Sequence, residues 1–66
     1  MNLQLNGKPY AASPGLNVLA LLQELQLNSQ QVVVELNGRI LTAGQLAQTA
    51  LTKGDTIEII QFVGGG

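Results

Sequence analysis

No cysteine and no histidine occur among the 66 residues, which removes disulfide frameworks, zinc fingers, thiol redox chemistry and histidine-based catalytic triads. A domain of about 60 residues buries only roughly 60% of its unfolded surface, and small folds commonly add disulfides or metals to compensate. Here apolar packing has to carry the fold. Charge is scarce as well: 11% of residues are charged and the net charge is -1. Lys8, Arg39 and Lys53 are scattered, so no basic stripe exists that could neutralise several phosphates. Tyr10 and Phe62 are the only aromatic residues, too few for a base-stacking platform. Nucleic acid is therefore not an expected partner. Long apolar runs are missing too. The richest segment, residues 16–27, carries Gln23 and Glu24 and falls short of the roughly 20 apolar residues a bilayer demands. The opening "MNLQLNGKPY" alternates instead of placing a basic region before an apolar one, unlike a secretory signal. The expectation is a soluble cytoplasmic protein with no membrane partner.

What is present is a set of short periodic segments. Leu3 and Leu5 alternate with Asn2 and Gln4, the period-2 pattern of a strand with one buried face. Asn6-Gly7 supplies two residues tolerant of positive φ, as a two-residue hairpin requires. The returning strand, residues 8–12, contains Pro9 and so belongs at a sheet edge or begins there. Then the period changes. Val18, Leu22 and Leu25, widened by Leu19 and Leu21, form the stripe of an amphipathic helix. Asn17 is its expected N-cap, Leu16 can staple onto Leu21, and Asn28 is expected to close the far end in a left-handed conformation, leaving about ten helical residues. "VVVELNGRI" repeats the hairpin device through Asn37-Gly38, and Leu46, Ala47, Ala50 and Leu51 suggest a short helix or 3₁₀ turn. Lys53, Gly54 and Asp55 form a turn before a last strand over residues 56–62.

One helix between two hairpin-like segments calls for a two-layer α+β fold, with the helix on one face of a mixed sheet of four to five strands. Placing the first and last strands side by side at the centre, with right-handed crossovers, gives the β-grasp arrangement. Residues 1–63 form this body and residues 64–66 a flexible glycine tail.

The side chains offer little chemistry. Glu24, Glu35, Asp55 and Glu58 are spread over different elements and read as solvated charges, with Glu35 and Glu58 on the outer side of their strands by parity. The two Asn-Gly pairs lack the glycine spacing of a dinucleotide site or P-loop and read as turns. If Ile57 and Ile59 face the core, alternation sends Glu58, Ile60 and Phe62 to the face the helix leaves bare. Ile60 and Phe62 are accordingly candidate docking residues. The remaining candidate group is the Gly66 carboxylate. Gly64 and Gly65, without Cβ atoms, allow the backbone to enter a narrow channel, and residues 63–66 extended would reach about 13 to 14 Å. A carboxylate is ionised at neutral pH and a poor electrophile. An ATP-dependent partner could activate it as an acyl-adenylate, which a sulfur donor would convert to a thiocarboxylate and an amine to an amide.

"LNGKPY", "LLQELQL", "VVVELNGRI" and above all "LTKGDTIEIIQFVGGG" resemble the ThiS family, the sulfur carriers of thiamine thiazole biosynthesis. The resemblance spans essentially the whole chain. It implies a ubiquitin-like β-grasp carrier and not an enzyme. It also implies that Gly66 is adenylated with ATP by an E1-like enzyme, ThiF, then converted to a thiocarboxylate with sulfur from a donor protein. The sulfur would pass to the ring made by thiazole synthase, ThiG. Gly64 and Gly65 would thread into both partners, and ATP would be used by the partner, with no cofactor bound by the carrier itself. Two alternatives stand beside it: a MoaD-like molybdopterin carrier, whose family is usually longer with a larger central insertion, and a ubiquitin-like binding module with an inert terminus.

Overall fold

The computed structural model describes residues 1–62, in the order β1 (Asn2–Leu5), β2 (Lys8–Ala11), α1 (Val18–Glu24), a 3₁₀ turn (Ser29–Gln31), β3 (Val32–Leu36), β4 (Arg39–Ile40), a second 3₁₀ segment (Ala43–Gln48) and β5 (Thr56–Gln61). The five strands form one sheet in the order β2-β1-β5-β3-β4. β1 and β5 run parallel, and the other pairs are antiparallel. This is the expected β-grasp, with β5 at the centre and Pro9 on the outer strand β2, where a missing N–H breaks no ladder. Both hairpins turn through Asn-Gly pairs at positive φ, 49° and 80° at Asn6-Gly7 and 50° and 85° at Asn37-Gly38. Two consecutive left-handed residues match the twist of the flanking strands.

α1 lies over one face of the sheet. Its Val18, Leu21 and Leu22 pack with Leu3, Ala12, Val34, Leu46, Leu51, Ile57 and Ile59 into a core whose members are all 7% exposed or less. Asn17 caps the helix as expected, its side chain accepting from the Ala20 N–H at 2.7 Å. The same side chain donates to the Ala47 carbonyl at 3.1 Å, and Val18 N–H donates to the Thr49 carbonyl, so the helix start is clipped to the second 3₁₀ segment. No helix among the described residues is long and apolar enough to cross a membrane.

The end of the helix differs from the expectation. α1 has seven residues, and Gln26, not Asn28, takes the left-handed conformation, at φ 60°. Gln26 N–H donates to the Gln23 carbonyl and Leu27 N–H to the Leu22 carbonyl, the paired bonds of a Schellman ending. Leu22 and Leu27 occupy the two positions where that ending brings apolar side chains together. Leu27 is drawn back to the core, and this outweighs the cost of a left-handed glutamine. Asn28 instead caps the first 3₁₀ turn, accepting from the Gln30 N–H at 2.9 Å.

Candidate functional site

β5 carries both the core and the bare face. Ile57 and Ile59 are 0% and 7% exposed, whereas Ile60 and Phe62 are 55% and 59% exposed. The alternation of buried and exposed residues runs through Ile60; Gln61 and Phe62 are both exposed, β5 ends at Gln61, and Phe62 N–H still donates to the Gln31 carbonyl at 2.9 Å. Val63 and the candidate tail residues Gly64, Gly65 and Gly66 lie outside the described residues. What the structure describes is the base from which they extend.

A third exposed apolar residue was not singled out by the sequence reading. Ile40, on β4, is 70% exposed. Its partner is Glu35, which in turn sits opposite Glu58, and Val33 sits opposite Ile60. Directly opposed residues share a face, so Ile40, Glu35, Glu58, Val33 and Ile60 lie together on the side away from α1. The signal was available: a two-residue turn at Asn37-Gly38 pairs Glu35 with Ile40 by counting alone.

The asparagines of the two turns do more than bend the chain. β1 ends at Leu5, yet the Asn6 side chain carries its ladder one step further along β5, accepting from the Ile59 N–H at 2.8 Å and donating weakly to the Ile59 carbonyl at 3.4 Å. At the other end Asn37 Oδ1 accepts from the Thr56 N–H at 2.9 Å, while Asn37 Nδ2 donates to Asp55 Oδ1 at 3.0 Å. Asp55 also accepts from the Thr52 N–H and hydroxyl at 2.8 and 3.1 Å. Burial pushes the Asp55 carboxyl up, but the bonds it accepts from Thr52 and Asn37 together outweigh this and hold it below the ordinary carboxylate value. β5 is thus fastened at both ends by side chains that composition marks only as turn formers.

Asn6→Gly keeps the left-handed backbone while deleting these side-chain bonds, so it isolates the fastening. Loss of about 1–2 kcal/mol is expected, which lowers the melting temperature by about 4–16 °C. Amide exchange at Ile59 should accelerate more than at Val34. Unchanged exchange at Ile59 would show that the Asn6 contact holds nothing in place.

The remaining acid, Glu24, is exposed but tied. Its carboxylate accepts from the Tyr10 hydroxyl at 2.6 Å and the Ser13 hydroxyl at 2.8 Å. The bond from Tyr10, then that from Ser13, keeps Glu24 below its ordinary value, and the same bond to Glu24 raises the Tyr10 phenol. Glu24 is the solvated charge expected, and its two bonds add a tie from α1 to β2 and the loop behind it. Among the described residues no group of three or more acidic, histidine or cysteine side chains is placed to hold a metal.

A family model described as the ThiS family matches residues 3–66. The sulfur carrier protein ThiS of Bacillus subtilis is 38% identical over 65 residues, covering 97% of this chain and 98% of that protein. A thiazole synthase of Paramagnetospirillum magneticum is 42% identical over 66 residues, and there the chain spans only 20% of the relative's length. Among solved structures, a ThiS thiamine biosynthesis protein from Geobacter metallireducens superposes with a TM-score of 0.85 at 40% identity, over the full length of both chains.

Proposed function

We propose, from the premise that this chain belongs to the ThiS family, that it is a sulfur carrier for thiamine biosynthesis whose working group is the Gly66 carboxylate. An E1-like adenylating enzyme binds the bare face of the sheet and receives Gly64, Gly65 and Gly66 in its active site. A carboxylate oxygen of Gly66 attacks the α-phosphorus of ATP and pyrophosphate leaves. Sulfide-level sulfur delivered by a donor protein then attacks the acyl carbon, the C–S bond forming as the C–O bond to AMP breaks, so that AMP leaves and a thiocarboxylate remains. Thiazole synthase consumes that sulfur.

The observation that carries this reading is the match to the ThiS family through residue 66, joined to the placement of Ile60 and Phe62. Both are exposed, Ile60 on β5 and Phe62 just after its end at Gln61, on the segment that leads into the glycines. An apolar patch there gives a partner a grip on the body within reach of the terminus. Thiazole synthase as a partner draws support from relatives of that name that contain a stretch similar to this whole chain. Fusing two proteins raises the effective concentration of one for the other, which suits a carrier and its consumer. The chemistry asked of the carrier is small. The partners supply activation, and the body supplies a docking face and a thread.

With a purified E1-like adenylating enzyme and ATP, adding the chain should trigger pyrophosphate release that scales with chain concentration. Ile60→Asp places a charge where an apolar contact forms, and should raise the concentration for half-maximal release by about a hundredfold, equivalent to roughly 2.7 kcal/mol. Phe62→Asp should act in the same direction. Because both side chains are exposed in the free chain, the thermal unfolding of either variant should stay close to that of the parent. Pyrophosphate release indifferent to the chain would sink the carrier reading, and unfolding of Ile60→Asp would move that residue from docking to core.

A further inference from the structure

The centre of the bare face holds an arrangement that the fold alone does not favour. Glu35 and Glu58 are directly opposed across β3 and β5. Phe62 N–H bonds to the Gln31 carbonyl in the same ladder, so the alternation of bonded and non-bonded pairs makes Glu35–Glu58 a hydrogen-bonded pair, with Cα atoms about 5.5 Å apart. Like charges in that position destabilise a sheet. No strand residue on the same face relieves them. Arg39 is opposed to Leu36 and Lys8 to Leu5, so both cations belong to the helix side, and Lys53 lies in the turn before β5. Beside the two acids the surface is apolar on one side, with Ile40 next to Glu35 on β4 and Val33 and Ile60 one step along the ladder, and polar on the other, where Gln4 and Thr56 are opposed. Ile40 and Ile60 are exposed.

We propose that Glu35 and Glu58 form a paired acidic receptor for one arginine or lysine of thiazole synthase, presented by that partner within an apolar surface that covers Ile40 and Ile60. This rests on the carrier reading and adds to it the chemistry of the contact. A cation entering between two opposed carboxylates is attracted by both and offsets the like-charge opposition of that pair. An arginine fits best, because its planar fork can donate to two acceptors at once. Covering the apolar side excludes water there and strengthens the attraction. Charge also rejects other occupants. A second copy stacked on the same face would set two acidic pairs against each other, and a nucleic acid would be repelled.

The proposal separates folding from binding in a way few surface residues do. In the double variant Glu35→Gln with Glu58→Gln the repulsion is gone, so the melting temperature should equal or exceed that of the parent. Affinity for purified thiazole synthase from the same genome, measured by calorimetry in low salt, should fall about tenfold, or roughly 1.4 kcal/mol. Raising the salt should weaken the parent complex more than the variant complex. Glu58→Lys, which places opposite charges across the strands, should also fold and should bind more weakly than the double variant. Unchanged or tighter binding by the double variant overturns the proposal. If Ile60→Asp abolishes binding while the double variant binds like the parent, the face docks by apolar contact alone and only the acidic receptor falls. Failure of the parent itself to bind thiazole synthase removes both this proposal and that partner.

Discussion

Deleting Gly66 is expected to abolish chain-dependent pyrophosphate release while leaving thermal unfolding unchanged. The deletion leaves a glycine carboxylate at the terminus, with the same chemistry and nearly the same freedom. What changes is reach, by about 3.3 to 3.6 Å. Errors of about 1 Å in the placement of a reacting group can cost a hundredfold in rate, so a residue-length retreat should cost more than that. The buried core closes at Ile59 and the pairing with the first 3₁₀ turn at Phe62, which is why stability should not follow activity. Stopped-assay pyrophosphate measurement and a thermal melt on the same sample test both halves. Full activity without Gly66 would mean that the working group lies elsewhere.

Leu22→Ala is expected to do the reverse, weakening the fold on which the docking face and the tail depend. Leu22 is fully buried between α1 and the sheet, and its carbonyl accepts the Leu27 N–H that ends the helix. Truncating a buried leucine costs about 2–5 kcal/mol. A domain of this size has about 3–10 kcal/mol in total, at roughly 0.05–0.15 kcal/mol per residue. Between roughly a fifth and all of the stability is therefore at stake, about half at the middle of both ranges. In urea the midpoint should fall to about half of the parent value. Leu22→Met, close in volume, should cost under about 1.5 kcal/mol. A loss below about 1 kcal/mol for the alanine variant would mean that the helix does not seal the core as described.

Much of this fold could be read in advance because its signals are local and repeated. The two Asn-Gly turns, the alternation through Ile57, Glu58, Ile59 and Ile60, and the helical stripe of Val18 and Leu22 each depend on a few adjacent residues. The strand order came from placing the first and last strands side by side at the centre with right-handed crossovers, one of several orders that let one helix cover one face, and the sheet has that central pair. The helix end was misplaced because it is decided by a nonlocal competition. Gln26 has no intrinsic preference for a left-handed backbone, and only the pull of Leu27 onto the core makes that conformation worthwhile.

The candidate site was legible in part for similar reasons. Ile60 and Phe62 emerge from parity within one strand, whereas Ile40 requires counting across a turn into a neighbour. The side-chain bonds of Asn6 and Asn37 to β5 were illegible, since they join residues 53 and 19 positions apart. Composition gives such asparagines only a turn-forming role.

The central claim is that Gly66 becomes a thiocarboxylate. The measurement that tests it most directly is the intact mass of the unaltered chain after incubation with an E1-like adenylating enzyme, ATP and a sulfur donor protein. The account predicts an AMP adduct when the sulfur donor is omitted. With the donor present it predicts a gain corresponding to exchange of one oxygen for one sulfur, located by fragmentation at residue 66. A chain that turns over ATP with no mass change at its terminus, or that gains sulfur elsewhere, would contradict it.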